Sequence, residues 1–207
     1  MGIFVTLEGP DGAGKTTQLE MLKPIAEDRG WLLTRNPGGT NFGLKLREIL
    51  LNDQSVRLNP LAELFLYMAD RAQNIEEVVK PSLDKTVVIC DRFIDSTVAY
   101  QGYARGLNTE LIHQLNEVAI QGVQPDITFL LDVDPGIGLS RSKKRSGESD
   151  KMESEGILFQ DKVRKGFLKL AEQNKERFLV IDTVKYTPDK VHKIIISKIN
   201  EKLNSKI

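Results

Sequence analysis

The sequence predicts an α/β fold, a five-stranded parallel sheet with helices on both faces. Three observations carry that prediction. Short β-branched and apolar runs alternate along the chain with stretches of helical periodicity. The first run, Ile3 to Leu7, leads directly into Gly9-Pro-Asp-Gly-Ala-Gly-Lys-Thr16, and a later one, Val87 to Cys90, ends in Asp91 and Arg92. A strand feeding a glycine turn that opens a helix is the order that a phosphate-binding loop requires.

Taken in order, Ile3 to Leu7 is the first strand, and Leu19, Leu22 and Ile25-Ala26 mark the helix after it. Asp28-Arg-Gly30 closes that helix, and Trp31 to Thr34 is the second strand. Asn36 to Thr40 is a turn dense in breakers, followed by a short helix carrying Leu44, Ile49, Leu50 and Leu51. Leu61, Leu64, Phe65, Met68, Ala72, Ile75 and Val79 sit at helical spacing through a long helix expected to stop near Pro81. Thr86 to Cys90 is the third strand and Glu110 to Ile120 a helix. Asp126 to Leu131 and Arg177 to Ile181 are the last two strands, and a stripe of Val191, Ile195, Ile199 and Leu203 marks the final helix. Ser140 to Gly156 is the most polar stretch, and by composition it is expected to be a surface loop.

At 207 residues the chain suits one domain, 1–207, with a core of its own, and 40% hydrophobic against 28% charged residues is an ordinary globular balance. Lys+Arg and Asp+Glu are equal at 29 each, which argues against a nucleic-acid or membrane partner and leaves anion binding to local clusters. One cysteine, Cys90, excludes an internal disulfide and fits a reducing compartment. No apolar stretch reaches membrane-spanning length and the N-terminus lacks a signal peptide, so a cytoplasmic protein is expected. Met1 to Thr6 fits the loose myristoylation pattern, but Ile3 to Leu7 is already required as a strand.

The chemistry follows from the loop. Its glycines let backbone N–H groups converge on an anion, and the helix N-terminus adds its dipole. Gly9, Pro10, Asp11, Gly12, Ala13, Gly14, Lys15, Thr16 and Thr17 are the expected contacts of a nucleotide's phosphates. Lys15 supplies charge to the outer phosphates and the Thr16 hydroxyl is a natural Mg²⁺ ligand. Asp91, an acid at the end of an apolar strand, is the second expected metal ligand. Arg92 follows it at the carboxyl edge of the sheet, where ligands of open α/β folds bind. Arg35, Arg47, Arg71, Arg141 and Arg145 fall at segment ends or in loops, whereas His113 and His192 lie in distal helices. A site rich in guanidinium and poor in histidine suits an acceptor that is itself a phosphate, which needs charge neutralised rather than a proton removed.

The chain resembles the thymidylate kinases nearly end to end. The matching blocks are 7–18, Thr34-Arg-Asn-Pro-Gly-Gly-Thr40, Leu46-Arg-Glu-Ile-Leu50 and 62–71. Asp91-Arg-Phe-Ile-Asp-Ser96 and Ala99-Tyr-Gln-Gly-Tyr-Ala-Arg-Gly106 follow. The resemblance implies a nucleoside monophosphate kinase architecture and Mg²⁺-dependent transfer of the ATP γ-phosphate to dTMP. It implies dTMP contacts from Asp11, Arg35, Pro37, Arg47, Tyr67, Arg71, Arg92, Ser96, Thr97, Tyr100 and Gln101. In it, Arg47 and Arg92 take the acceptor phosphate, Tyr67 stacks on the thymine, and Arg71, Thr97 and Gln101 bond the base. Lys15, Asp91, Arg92, Arg141 and Arg145 are the implied catalytic set. The last two belong to a lid at about 140–156 that supplies the cation missing from Gly12, where some members carry arginine. A homodimer is implied as well.

Three positions depart from the family pattern: Asn36 where glutamate is usual, Lys151 where the lid has arginine, and Asp70 where a small uncharged residue is more common. A kinase of the same build acting on dUMP or a deoxynucleoside would differ at Arg47, Arg71, Arg92, Thr97 and Gln101. A nucleotide-dependent switch would bind without turnover, and no Asn-Lys-x-Asp guanine motif is present.

Overall fold

The computed structural model describes residues 2–146, 151–152 and 155–205, with the side chains of 144–146 excepted. Five strands, β1 (Phe4–Glu8), β2 (Leu32–Arg35), β3 (Val88–Asp91), β4 (Ile127–Asp132) and β5 (Phe178–Asp182), form one sheet in the order β2-β3-β1-β4-β5. Every neighbouring pair is parallel. Strand β1 lies centrally because all five of its residues are buried. A fully buried parallel strand needs a strand on each edge and helices on both faces. The strand order reverses at β1, with β3 on one side and β4 on the other, so the crevice at its carboxyl end is the expected ligand position.

On one face α1 (Lys15–Arg29) and α9 (Pro188–Asn204) cover the sheet, with Leu22, Val191, Ile195 and Ile199 packed on Val5, Leu7 and Phe129. α9 starts where Thr187 caps it, accepting from Lys190 N, with Pro188 at the first helical position. The opposite layer holds α3 (Pro60–Asn74), α6 (Thr109–Ile120) and α8 (Ile157–Gln173). α3 is capped by Asn59 through Ala62 N, and α6 by Asn108 through Glu110 N and Leu111 N.

Helices α2 (Asn41–Arg47), α4 (Lys80–Leu83), α5 (Ile94–Thr97) and α7 (Pro135–Ser146) complete the set. α2, α3 and α5 each run on into a wider i→i+5 turn, at Glu48–Asn52, Ile75–Val79 and Val98–Ala104. Such turns are frequent where a helix re-aims its side chains toward a site.

The helical path that starts with α3 ends at Leu83, near Pro81 as expected, with Pro81 in the first turn of α4 where its missing N–H costs nothing. One expectation is corrected here. Residues 140–146 are helical rather than loop, as the second half of α7. Asp134 starts α7 by accepting from Gly136 N at 2.9 Å, and the helix packs its Gly138 against the phosphate loop. Residues 147–150 and 153–154 of the expected lid lie outside the described residues.

Candidate active site

The glycine loop leaves β1 in conformations that side chains resist. Gly9, Gly12 and Gly14 have φ of 141°, 73° and 94°. A Cβ on Gly12 would stand 1.9 Å from the Gly138 carbonyl oxygen, so α7 closes directly on the loop. Within this cradle Lys15 donates to the carbonyls of Gly9 at 2.8 Å and Pro10 at 2.9 Å. Burial, with Arg92 nearby, pushes its pKa down to about 8.

A cavity opens from the loop toward α3 and the 94–104 segment. Arg92 sits between loop and cavity. It is one of two non-glycine residues with positive φ among the described residues, at 64°, a strained choice that aims its guanidinium at the loop. There it pairs with Asp11 and donates to the Gly9 carbonyl at 3.1 Å and Ser96 Oγ at 3.3 Å. Burial works against the Asp11 charge, yet Arg92 and Lys15 hold its carboxyl below the usual range. Asp11 also accepts from the Tyr100 hydroxyl at 3.0 Å and Gln160 Nε2 at 2.8 Å.

The far end of the cavity is lined by Tyr67, Arg71, Thr97 and Gln101. Arg71 is 1% exposed and donates to Asn116 Oδ1 at 2.7 Å, Thr97 Oγ1 at 2.7 Å and the Phe93 carbonyl at 2.9 Å. Its Nε is buried without a partner among the described residues. A guanidinium held this firmly with one donor unspent is pre-set for a ligand acceptor. Gln101 donates to Glu63 Oε1 at 2.8 Å, and Arg105 binds the same carboxylate. Between the two ends lie Pro37 and Arg47, with Arg47 Nη1 on the Pro37 carbonyl at 2.9 Å.

Thr16 and Asp91 line the loop end of the same cavity. Asp91 Oδ1 is buried with no hydrogen-bond partner among the described residues, the state expected of an oxygen that awaits a cation or its water shell.

Several expected residues stand elsewhere. Arg35, exposed at the end of β2, does not line the cavity. Arg141 donates to Thr183 Oγ1 at 3.2 Å and to the Thr183 carbonyl at 3.1 Å. It thereby joins a second cavity, beyond Gly12 and Gly14, with Gln18, Tyr186 and Pro188. Arg141 therefore lines this second cavity and not the one that holds Arg92. The Arg145 side chain lies outside the described residues.

Sequence reasoning passed over Glu8. It is fully buried at the end of β1, accepting from Phe93 N at 2.7 Å, Ser96 N at 3.3 Å and Ser96 Oγ at 2.5 Å. Burial and the neighbouring Asp95 push its pKa up to about 7. Phe93, Leu51 and Met152 in the cavity wall were missed too, as were Asn116 and Gln160. A polar residue in the apolar stripe of a helix was the available signal for Asn116.

A phosphate loop at the sheet switch point, an acid at the next strand end and a guanidinium-lined pocket beyond it define a P-loop phosphotransferase. Comparison with known proteins makes this specific. Residues 7–195 match the family described as Thymidylate kinase. The chain is 43% identical to a thymidylate kinase of Maridesulfovibrio salexigens, covering 97% of this chain and 96% of that one. It is 47% identical to one from Geotalea daltonii, covering 88% and 89%. Among solved structures, the thymidylate kinase of Ehrlichia chaffeensis superposes with a TM-score of 0.78 at 38% identity, covering 96% and 98%. The chain belongs to the thymidylate kinase family, enzymes that phosphorylate dTMP to dTDP.

Proposed function

We propose that the enzyme moves the γ-phosphate of ATP to dTMP across the Asp11–Arg92 junction. The observation that carries this reading is the position of Arg92, strained so that one guanidinium faces both the phosphate loop and the acceptor cavity. Lys15 and the loop amides hold the donor phosphates. Arg92 and Arg47 neutralise the acceptor phosphate, and Asp11 faces its sugar beside Tyr100. Tyr67 stacks on the thymine while Arg71 Nε and Gln101 meet its edge. Mg²⁺, arriving with ATP, fits Thr16 and the buried Asp91 Oδ1, unpaired among the described residues, and would neutralise charge on the transferring group. Catalysis is then positioning and electrostatics, with no base required.

Arg141, beside Thr183 and Tyr186, is assigned to the adenine side of ATP. The phosphoryl-facing cation is left to a lid at 140–156, with Arg145 the arginine assigned to it. Exposed Leu61 and Phe65 on α3, Leu111 and Val118 on α6 and Phe42 on α2 lie on helices that pack side by side, which supports a homodimer through that face. Among the described residues no helix is long and apolar enough to cross a membrane, and the charge balance and single buried cysteine support a cytoplasmic enzyme.

The test is ADP release with ATP and Mg²⁺ against dTMP, dUMP, thymidine or no acceptor. Turnover should be high with dTMP, weaker with dUMP and absent with thymidine, and Arg92→Ala should lose about a hundredfold or more in kcat/KM. Turnover on thymidine would overturn the phosphate-acceptor assignment.

A further inference from the structure

Asn36 and Asp70, two positions that looked like unrelated departures along the chain, meet in space. Asn36 Nδ2 donates to Asp70 Oδ2 at 2.5 Å, and Gly38 N donates to Asp70 Oδ1 at 2.9 Å. Asp70 is 0% exposed and Asn36 5%. The pocket that receives the carboxylate is shaped for it. A Cβ on Gly43 would stand 2.3 Å from Asp70 Oδ1, so only glycine there leaves room. Both donors flank Pro37, whose carbonyl in turn receives Arg47 Nη1 at 2.9 Å. The other side of Asn36 is tied to β3, through Asn36 N on the Asp91 carbonyl at 2.9 Å and Cys90 Sγ on Asn36 Oδ1 at 3.6 Å.

We propose that Asp70 is a positioning residue for the acceptor phosphate, acting through Asn36, Gly38 and the Pro37 carbonyl on Arg47. This rests on the reading that Arg47 and the 36–39 turn border the acceptor. Asp70 joins α3, which carries Tyr67 and Arg71, to the end of β3, which carries Asp91 and leads into Arg92. One carboxylate thus sets the spacing between the base-binding wall and the phosphate-binding groups. With Asn36 Oδ1 taken by Cys90 Sγ, its N–H₂ faces position 70, so two donors converge there, and an amide could accept from only one while presenting its own N–H₂ to the other. The polarity of the pair can nonetheless be reversed. In the N36D/D70N double variant, the amide oxygen at position 70 takes the Gly38 N–H, and the amide N–H₂ donates to the carboxylate at position 36.

The experiment measures steady-state KM for dTMP and for ATP, with kcat, in D70N, N36D and the N36D/D70N pair, each checked for folding by its denaturation midpoint. D70N loses one acceptor and should raise the dTMP KM about tenfold, the scale of one hydrogen bond to a charged group, while the ATP KM stays within about twofold. N36D faces two carboxylates and should be worse. The pair should return the dTMP KM to within about threefold of the parent. A D70N enzyme with an unchanged dTMP KM, equal shifts in both KM values, or a double variant no better than D70N would overturn the proposal. If N36D does not fold, D70N and the pair still decide. Arg47→Ala separates the two readings. If it leaves the dTMP KM unmoved, the site assignment fails and this proposal with it. If it raises that KM but the pair does not rescue D70N, only this proposal fails.

Discussion

At the scale of single residues, the site is a set of charges held where water would not put them. Lys15 is 7% exposed and rests on two carbonyls, so its ammonium is costly until phosphate arrives. Its pKa is pushed down to about 8, so the charge is present below that pH and lost above it. ATP affinity, measured by calorimetry across pH 6 to about 9.5, should be level at first and fall above about pH 8. Lys15→Arg, which cannot deprotonate in that range, should remove the falling limb. A limb that persists in the arginine variant would assign it to another group. Glu8 is the complementary case, a carboxyl that burial makes reluctant to ionise yet which receives three donors from the 93–96 turn. Its bonds hold in place the segment immediately after the strained Arg92.

At the scale of elements, the contact between the phosphate loop and α7 joins donor binding to the segment proposed as a lid. Gly12 has φ of 73° and faces Gly138 with no room for a methyl group. Gly12→Ala should therefore displace α7, lower stability by about 1–3 kcal/mol and weaken ATP binding, read as a lower denaturation midpoint and a raised ATP KM. An alanine variant with parental midpoint and KM would show that α7 does not bear on the loop. This contact also explains why a larger side chain cannot stand at position 12 in this chain without a different path for α7. The i→i+5 turn at 75–79 was invisible to a 3.6-residue template, because its buried Ile75 and Val79 continue the stripe of α3 at four-residue spacing. The helical stretch at 94–104 was not anticipated at all.

At the scale of the whole molecule, several apolar side chains of α2, α3 and α6 remain at the surface of a single chain, Phe65 at 50% exposure and Val118 at 76%. Phe65→Asp should convert the proposed dimer into a monomer by light scattering, because a buried unpaired carboxylate costs more than one such contact returns. A parent enzyme that is already monomeric would remove the dimer from this account. Most of the architecture was legible in the chain. The five strands, the phosphate loop and the Asp91-Arg92 edge all depend on local pattern, and the observed strand bounds fall within two residues of those expected. The 140–146 stretch was not, because its polarity hid a helix whose start is set by Asp134 and whose packing is against a loop more than a hundred residues earlier.

What the sequence determined by itself was therefore whatever short-range chemistry can encode: strand, turn and helix order, the anion cradle and the sites of its lysine, acid and arginine. Only the tertiary structure decided which charges share a cavity. It brought Arg71 to Asn116 and Thr97, left Asp91 Oδ1 and Arg71 Nε unspent among the described residues, sent Arg141 to Thr183, and paired Asn36 with Asp70. The physical reason is that hydrogen bonds between residues tens of positions apart carry no periodic trace, and their geometry exists only once the sheet has set the elements side by side.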